Sequence, residues 1–374
     1  MKTFLFPGQG SQARGMGGAL FEAFPQYVAV ADSILGYSVR DLCLEDPRGE
    51  LNQTLFTQPA LFVVNALSYW KEIDSGAAAP DYLAGHSLGE LNALLAAGCL
   101  DFETGLRVVH RRAQLMSEAT GGAMAAILNS SREEIDTILR DNGLSSIDIA
   151  NHNTPAQIVI SGPRDEIARA EPLFSRGKIR FYPLNTSGAF HSRYMQPARE
   201  QFRAFLETVA FKTPGIPVIS NVTALPYRDG EIADNLANQV VSTVRWAESI
   251  QYLHGQAAAQ PTGEMQFLEI GHGNVLTRML GAIKRDAALP AGQALPASQA
   301  SPPSRATAVP AGDKVAAWNR SYPVGTRARS IADSREILET RTAAIVLFGH
   351  RAAVYMTGYN GYFDLDELVP LAAE

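Results

Sequence analysis

Lys2 to Phe6 is a short apolar run cut off by Pro7-Gly8-Gln9-Gly10, which predicts a buried strand running into a tight turn. Helical spacing of apolar positions dominates from about residue 13 to 75. Asp81-Tyr82-Leu83-Ala84 predicts a second short strand. Gly85-His86-Ser87-Leu88-Gly89-Glu90 follows, and the Ala- and Leu-rich stretch Leu91 to Leu100 predicts a buried helix. Strand, sharp turn and helix in succession is the α/β pattern. From about 123 to 190 the texture changes. Met124 to Leu128 reads as a strand, and Ser131 to Asn142 opens with a capping box and reads as a helix. Ile147–Ala150 and Gln157–Gly162 read as strands joined by a turn at Asn153-Thr154-Pro155. Arg164–Arg176 reads as a helix and Arg180–Leu184 as a strand. Strand-helix-strand-strand-helix-strand is the ferredoxin-like order, here a subdomain inserted into a larger one.

Residues 192 to 285 return to helices and short strands, and then the composition breaks. Ala287 to Gly312 holds five prolines, much Ala and Ser, one charged residue and no aromatic, which predicts a linker. Aromatics return after it at Trp318, Tyr322, Phe348, Tyr355, Tyr359, Tyr362 and Phe363. Ala343–Phe348 and Ala352–Met356 read as strands around a Gly349-His350-Arg351 hairpin loop. Residues 313–374 are therefore expected to form a separate, mainly β module. Its Asn319–Thr326 turn and Gly358–Phe363 stretch resemble a small SH3-like barrel, with the aromatics inside. The expected domains are a core of 1–122 and 192–286, the subdomain 123–191, the linker 287–312 and the module 313–374.

Composition narrows the class. The 374 residues are 46 % apolar and 19 % charged, right for a globular enzyme and wrong for disorder. A net charge of −6 without a long basic run speaks against a nucleic-acid partner. Two cysteines, Cys43 and Cys99, make no disulfide framework and suit a reducing cytosol. Pro7-Gly8 ends the first apolar run too soon for a signal peptide, and no uninterrupted apolar window of about 18 residues predicts a membrane span. No Cys/His/Asp cluster has metal-ligand spacing, so neither a metal nor a cofactor is expected.

The chemistry lies in three short motifs. Gly85-His86-Ser87-Leu88-Gly89 fits Gly-x-Ser-x-Gly, the nucleophile elbow, in which flanking glycines let a serine occupy a sharp strand-to-helix turn. Ser87 then sits at a helix N-terminus, where backbone N–H groups hold developing negative charge. Phe6-Pro7-Gly8-Gln9-Gly10-Ser11-Gln12 is a second turn, and Gly188-Ala189-Phe190-His191-Ser192 offers His191 as a general base.

In order and spacing these motifs resemble the malonyl-CoA:acyl carrier protein transacylase family. Thr57-Gln58-Pro59-Ala60, Ala150 to Gln157, Ser220-Asn221-Val222-Thr223, Val244-Arg245-Trp246 and Glu269 to Gly273 extend the resemblance over about residues 1–285. Within the family the chain looks most like the free-standing acyltransferases of trans-acyltransferase polyketide synthases, such as that of disorazole biosynthesis. The resemblance implies an α/β-hydrolase-like core with a ferredoxin-like subdomain. It also implies malonyl transfer from malonyl-CoA, through Ser87, to the phosphopantetheine thiol of a carrier protein. It implies His191 as base and then acid, the Gln239 backbone carbonyl as its orienting group, and the N–H groups of Gln9 and Leu88 as the oxyanion hole. Arg112 would hold the malonyl carboxylate, since a planar guanidinium grips a carboxylate with two parallel hydrogen bonds. Phe190, beside the base, would crowd an α-methyl and favour malonyl over methylmalonyl. His86 fits a supporting role as well as a substrate contact. Two alternatives stay open: an acyl hydrolase that clears carrier proteins, whose relatives tend to lack the arginine, and a housekeeping fatty-acid transacylase.

Overall fold

The apolar run at the N-terminus forms a strand, and its alternating side chains fill two different cores. In this computed structural model residues 1–259, 263–288, 311–330, 337–347, 351–357, 362–365 and 368–371 are described. The strands of the first part are β1 (Lys2–Phe6), β2 (Tyr82–Gly85), β3 (Gly122–Leu128), β4 (Asp148–Thr154), β5 (Gln157–Pro163), β6 (Arg180–Pro183), β7 (Val218–Ile219) and β8 (Gln266–Glu269). β7, β2, β1 and β8 form a parallel sheet in that order. Phe4, Phe6, Leu83 and Val218 point to one face and join the largest core with the Thr54–Asp74 and Gly89–Ala96 helices. Leu5, Ala84 and Ile219 point to the other and pack with Trp246, Ile250, Leu253, Leu276 and Met279, from the Trp246–Ala258 and Val275–Ala288 helices. Burial on both faces is why β1 and β2 read as continuous apolar runs.

The second sheet is antiparallel, in the order β4-β5-β3-β6. The Arg132–Asp141 and Arg164–Phe174 helices supply Ile135, Leu139, Ile167 and Phe174 to a separate core under it. Ser131 caps the first of these through Glu134 N–H, as its capping box requires. The turn between β4 and β5 is tighter than the sequence suggests. Asn153 and Thr154 belong to β4, which stays paired to β5 across two bulges, leaving Pro155-Ala156 as the connection.

The described residues fall into two units, Met1–Ile283 and Lys284–Glu374. Both edges of the expected linker are helical: one helix runs to Ala288 and another begins at Ala311. Residues 289–310, the rest of the expected linker, lie outside the described residues. The second unit opens with the Ala311–Ser321 helix, which takes in Asn319, Arg320 and Ser321. The turn expected from Asn319 is therefore confined to Pro323–Thr326. Its strands β9 (Arg327–Ser330), β10 (Ile337–Glu339), β11 (Ile345–Leu347), β12 (Arg351–Tyr355), β13 (Tyr362–Asp364) and β14 (Leu368–Pro370) form two antiparallel sheets, β10-β9-β14 and β11-β12-β13. Trp318, Leu338, Val354, Met356 and Phe363 make its core. The Gly349-His350 loop and Gly358–Gly361 lie outside the described residues.

Candidate active site

Two turns meet where β1 and β2 end side by side, Phe6 being in register with Gly85. Crevices outside the carboxyl ends of parallel strands are where open α/β sheets bind ligands. The approach of the turns is so close that only glycine fits. A Cβ on Gly8 would lie 2.3 Å from the His86 carbonyl oxygen, and one on Gly89 would lie 2.0 Å from that of Phe6. Ser87, between them, has a φ of +51°, the strained left-handed geometry of a nucleophile elbow. Asn221 holds it there from both sides: its Oδ1 accepts from the Ser87 N–H at 2.7 Å and its Nδ2 donates to the Gly85 carbonyl at 2.7 Å. The Ser87 N–H is thus engaged. The backbone N–H groups of Gln9 and Leu88 have no acceptor among the described residues, which leaves that pair free for an oxyanion.

Ser87 Oγ lies 2.8 Å from His191 Nε2, and His191 Nδ1 lies 2.8 Å from the Gln239 backbone oxygen. A carbonyl only accepts, so Nδ1 carries the proton and Nε2 offers its lone pair to the Ser87 hydroxyl. Burial, and after it the Arg112 guanidinium, pushes His191 down to about 3, so the ring is neutral at working pH. His191 also has a positive φ, +57°, and its N–H is pinned to the Val240 carbonyl. This is the arrangement that a nucleophile and its general base require.

Arg112 projects from the Phe102–Ser117 helix and is fully buried, 1 % exposed. Nη1 donates to Gln58 Oε1 at 2.6 Å, and Nη2 donates to Gln239 Oε1 at 2.7 Å and to Ser87 Oγ at 3.1 Å. Its Nε is buried and has no acceptor among the described residues. Burial lowers Arg112 to about 10, with Glu90 opposing the shift, so it stays a cation. A buried cation beside the nucleophile, with its Nε–H unspent, suits an acyl group that ends in a carboxylate.

Ser87, His191, Arg112 and Gln239 therefore come together. Phe190 is buried in the main core, 4 % exposed, next to the base in sequence. His86 is buried and held by its own partners: Nε2 sits 2.8 Å from Asn153 Oδ1, and its ring meets Trp246 edge-on. Four supporting residues had no role in the sequence reading. Gln58 and Asn221 fell inside motifs noted only for resemblance. Glu90 and Tyr227 were passed over, although a carboxylate one residue past the elbow, at the head of an apolar helix, is a legible oddity. The Gln239 side chain is a fifth participant, beyond the backbone oxygen expected of it.

Over most of its length the chain is similar to acyltransferases. The chain is 51 % identical over 293 residues to the polyketide biosynthesis malonyl CoA-acyl carrier protein transacylase PksC of Bacillus subtilis, covering 78 % of this chain and 100 % of that one. It is 50 % identical over 289 residues, 77 % of its length, to the polyketide biosynthesis protein PksE of the same organism, but spans only 37 % of that longer protein. A crystal structure of malonyl CoA-acyl carrier protein transacylase from Burkholderia pseudomallei superposes with a TM-score of 0.75 and 57 % identity, covering 78 % of this chain and 99 % of that one. The model of the acyl transferase domain matches residues 3–294, and the chain belongs to that family.

Proposed function

We propose that the protein transfers a malonyl group from malonyl-CoA to the phosphopantetheine thiol of an acyl carrier protein, acting in trans in polyketide biosynthesis. Ser87 Oγ attacks the thioester carbonyl while its proton passes to His191 Nε2. The oxyanion is held by the Gln9 and Leu88 N–H groups. The C–S bond breaks, and the imidazolium returns the proton to the departing coenzyme A thiolate. A carrier thiol then gives its proton to His191 and attacks the Ser87 ester carbonyl; the Oγ–acyl bond breaks, the imidazolium returns the proton to Ser87 Oγ, and the malonyl group leaves on the carrier thiol. The observation that carries this reading is Arg112: a buried guanidinium 3.1 Å from the nucleophile, with an unspent Nε, held between two glutamines. A hydrolase of neutral acyl chains has no use for that charge. Phe190, beside the base, would disfavour an α-methyl.

In the same reading the parallel-sheet unit is an α/β-hydrolase-like core. The strand order β4-β5-β3-β6 with its two helices supports a ferredoxin-like subdomain, 123–191. The residues after 313 form an SH3-like module that takes no part in acylation. The test is intact mass after incubation with malonyl-CoA and then with phosphopantetheinylated carrier. A malonyl adduct on the wild type, absent from Ser87→Ala and passed on to the carrier, is expected. Free malonate without loaded carrier would mean a hydrolase and overturn the proposal.

A further inference from the structure

Behind the dyad lies a carboxylate that the reaction does not use. Glu90 has no solvent exposure, and three donors from distant parts of the chain converge on it. Oε1 accepts from the Asn221 N–H at 3.0 Å and from the Tyr227 hydroxyl, and Oε2 accepts from Gln239 Nε2. An ionised carboxylate only accepts, so Gln239 must turn its NH₂ toward Glu90. That choice fixes the rest of the amide. The same NH₂ donates to the Ser87 backbone oxygen at 2.8 Å, and Oε1 is left facing Arg112 Nη2 at 2.7 Å. The orientation of one amide thus decides whether Arg112 meets an acceptor or a second donor.

Resting on the malonyl-transfer reading, we propose that Glu90 is a positioning residue: it sets the polarity of the Gln239 amide and so aims the Arg112 guanidinium at the substrate carboxylate. Glu90 touches neither substrate nor nucleophile. It acts through one hydrogen-bond chain, Glu90 to Gln239 to Arg112, whose direction follows from the acceptor-only end.

The direction can be reversed by one isosteric change. In Glu90→Gln the new amide keeps its oxygen toward the two donors Asn221 N–H and Tyr227 Oη. Its NH₂ then faces the Gln239 NH₂: Gln239 either turns over, setting its NH₂ against Arg112 and its oxygen against the Ser87 carbonyl, or keeps its place against an opposed donor, and either way the support behind Arg112 is loosened. The double variant E90Q/Q239E places a carboxylate at position 239. That carboxylate accepts from the new amide at position 90 and restores an acceptor toward Arg112. It leaves the Ser87 backbone oxygen without its donor.

Ser87 acylation by malonyl-CoA and by acetyl-CoA is measured by rapid-quench intact mass for wild type, E90Q, Glu90→Asp and E90Q/Q239E. The pH is 8, above the value of about 7 to which burial raises Glu90. A lost hydrogen bond to a charged group predicts a fall of about tenfold or more in the malonyl-to-acetyl ratio of kcat/KM for E90Q. Acetyl rates in E90Q are expected to stay within about tenfold of wild type, a split that general loosening of the core would not produce. The double variant sets an anion against Arg112, offsets its charge and is expected to lose the ratio as well. Glu90→Asp keeps an acceptor-only group and is expected to hold the ratio within about threefold, and it decides if E90Q fails to fold. A wild-type ratio in E90Q, equal losses for malonyl and acetyl, or a tenfold loss of the ratio in Glu90→Asp overturns the inference. A wild type without malonyl preference removes the malonyl-transfer reading beneath it, and is told apart because it shows before any substitution is made.

Discussion

Replacing Arg112 with glutamine should change two independent readouts, and the structure sets the sign of each. The guanidinium is 1 % exposed, and its Nε lacks an acceptor. In the substrate complex it would face a carboxylate in a desolvated site. Removing one partner of a buried ion pair costs about 3–5 kcal/mol, because the other is left uncompensated. At about 1.4 kcal/mol per decade, kcat/KM for malonyl-CoA should fall roughly 10²–10⁴-fold. Gln58 and Gln239 remain to solvate the carboxylate, which favours the lower end. Acetyl-CoA has no carboxylate to lose, so its rate should fall by less than about tenfold.

The second readout is the acid limb of the pH profile. The neutral imidazole is the active form, and His191 is held at about 3, first by burial and second by Arg112. In wild type the acylation rate should therefore stay flat as pH falls well below 6. Without the guanidinium the burial cause remains and the charge cause goes. The limb should then move up toward, and not beyond, the ordinary histidine value of about 6.5. Coenzyme A release from both substrates between pH 4.5 and 8 measures both effects. Equal losses for malonyl and acetyl, or an acid limb that stays in place, would refute the argument.

Two further outcomes follow from the same geometry. The unfolded chain protonates His191 near 6.5 and the folded one only near 3, so this residue removes stability as pH falls below 6.5, by about 1.4 kcal/mol per pH unit. Glu90, raised to about 7 from 4.5, acts oppositely, losing stability as pH rises between those values. His191→Ala should thus flatten the acid side of a denaturant-midpoint profile most clearly below pH 4.5, and an unchanged slope would contradict the buried neutral ring. Gly89→Ala, whose Cβ would lie 2.0 Å from the Phe6 oxygen, should cost about 3 kcal/mol or more and abolish acylation; Gly98→Ala, with a φ of +75° but open space, should cost about 1–2 kcal/mol and leave acylation intact, as thermal melts and adduct formation would report.

What the sequence revealed and what it hid divide along the range of the interactions. The elbow is local: Gly85, Ser87 and Gly89 must stand two apart because a strand, a turn and a helix join there, so the pattern is legible in five residues. Of the parallel strands, β1 and β2 were legible because burial on both faces writes an apolar run, whereas the two-residue β7 and the half-exposed β8 carry no such run. β4 was cut short because Asn151 and Asn153 have weak strand preference, and pairing to β5 carries them. The Ala311–Ser321 helix was hidden by composition, although Val315, Trp318 and Tyr322 stand at helical spacing and pack on one core. The bonds of Glu90 were hidden for a different reason. Its acceptors serve residues more than a hundred positions away: the parallel sheet, by ending β2 beside β7, brings Asn221 near it, and Gln239 arrives at the end of the Ile232–Gln239 helix. No periodicity records such a pairing. What the sequence does record is the anomaly, a carboxylate at the head of an apolar buried helix. Burying a charge there requires partners, and the partners found are the groups that orient the dyad and the guanidinium.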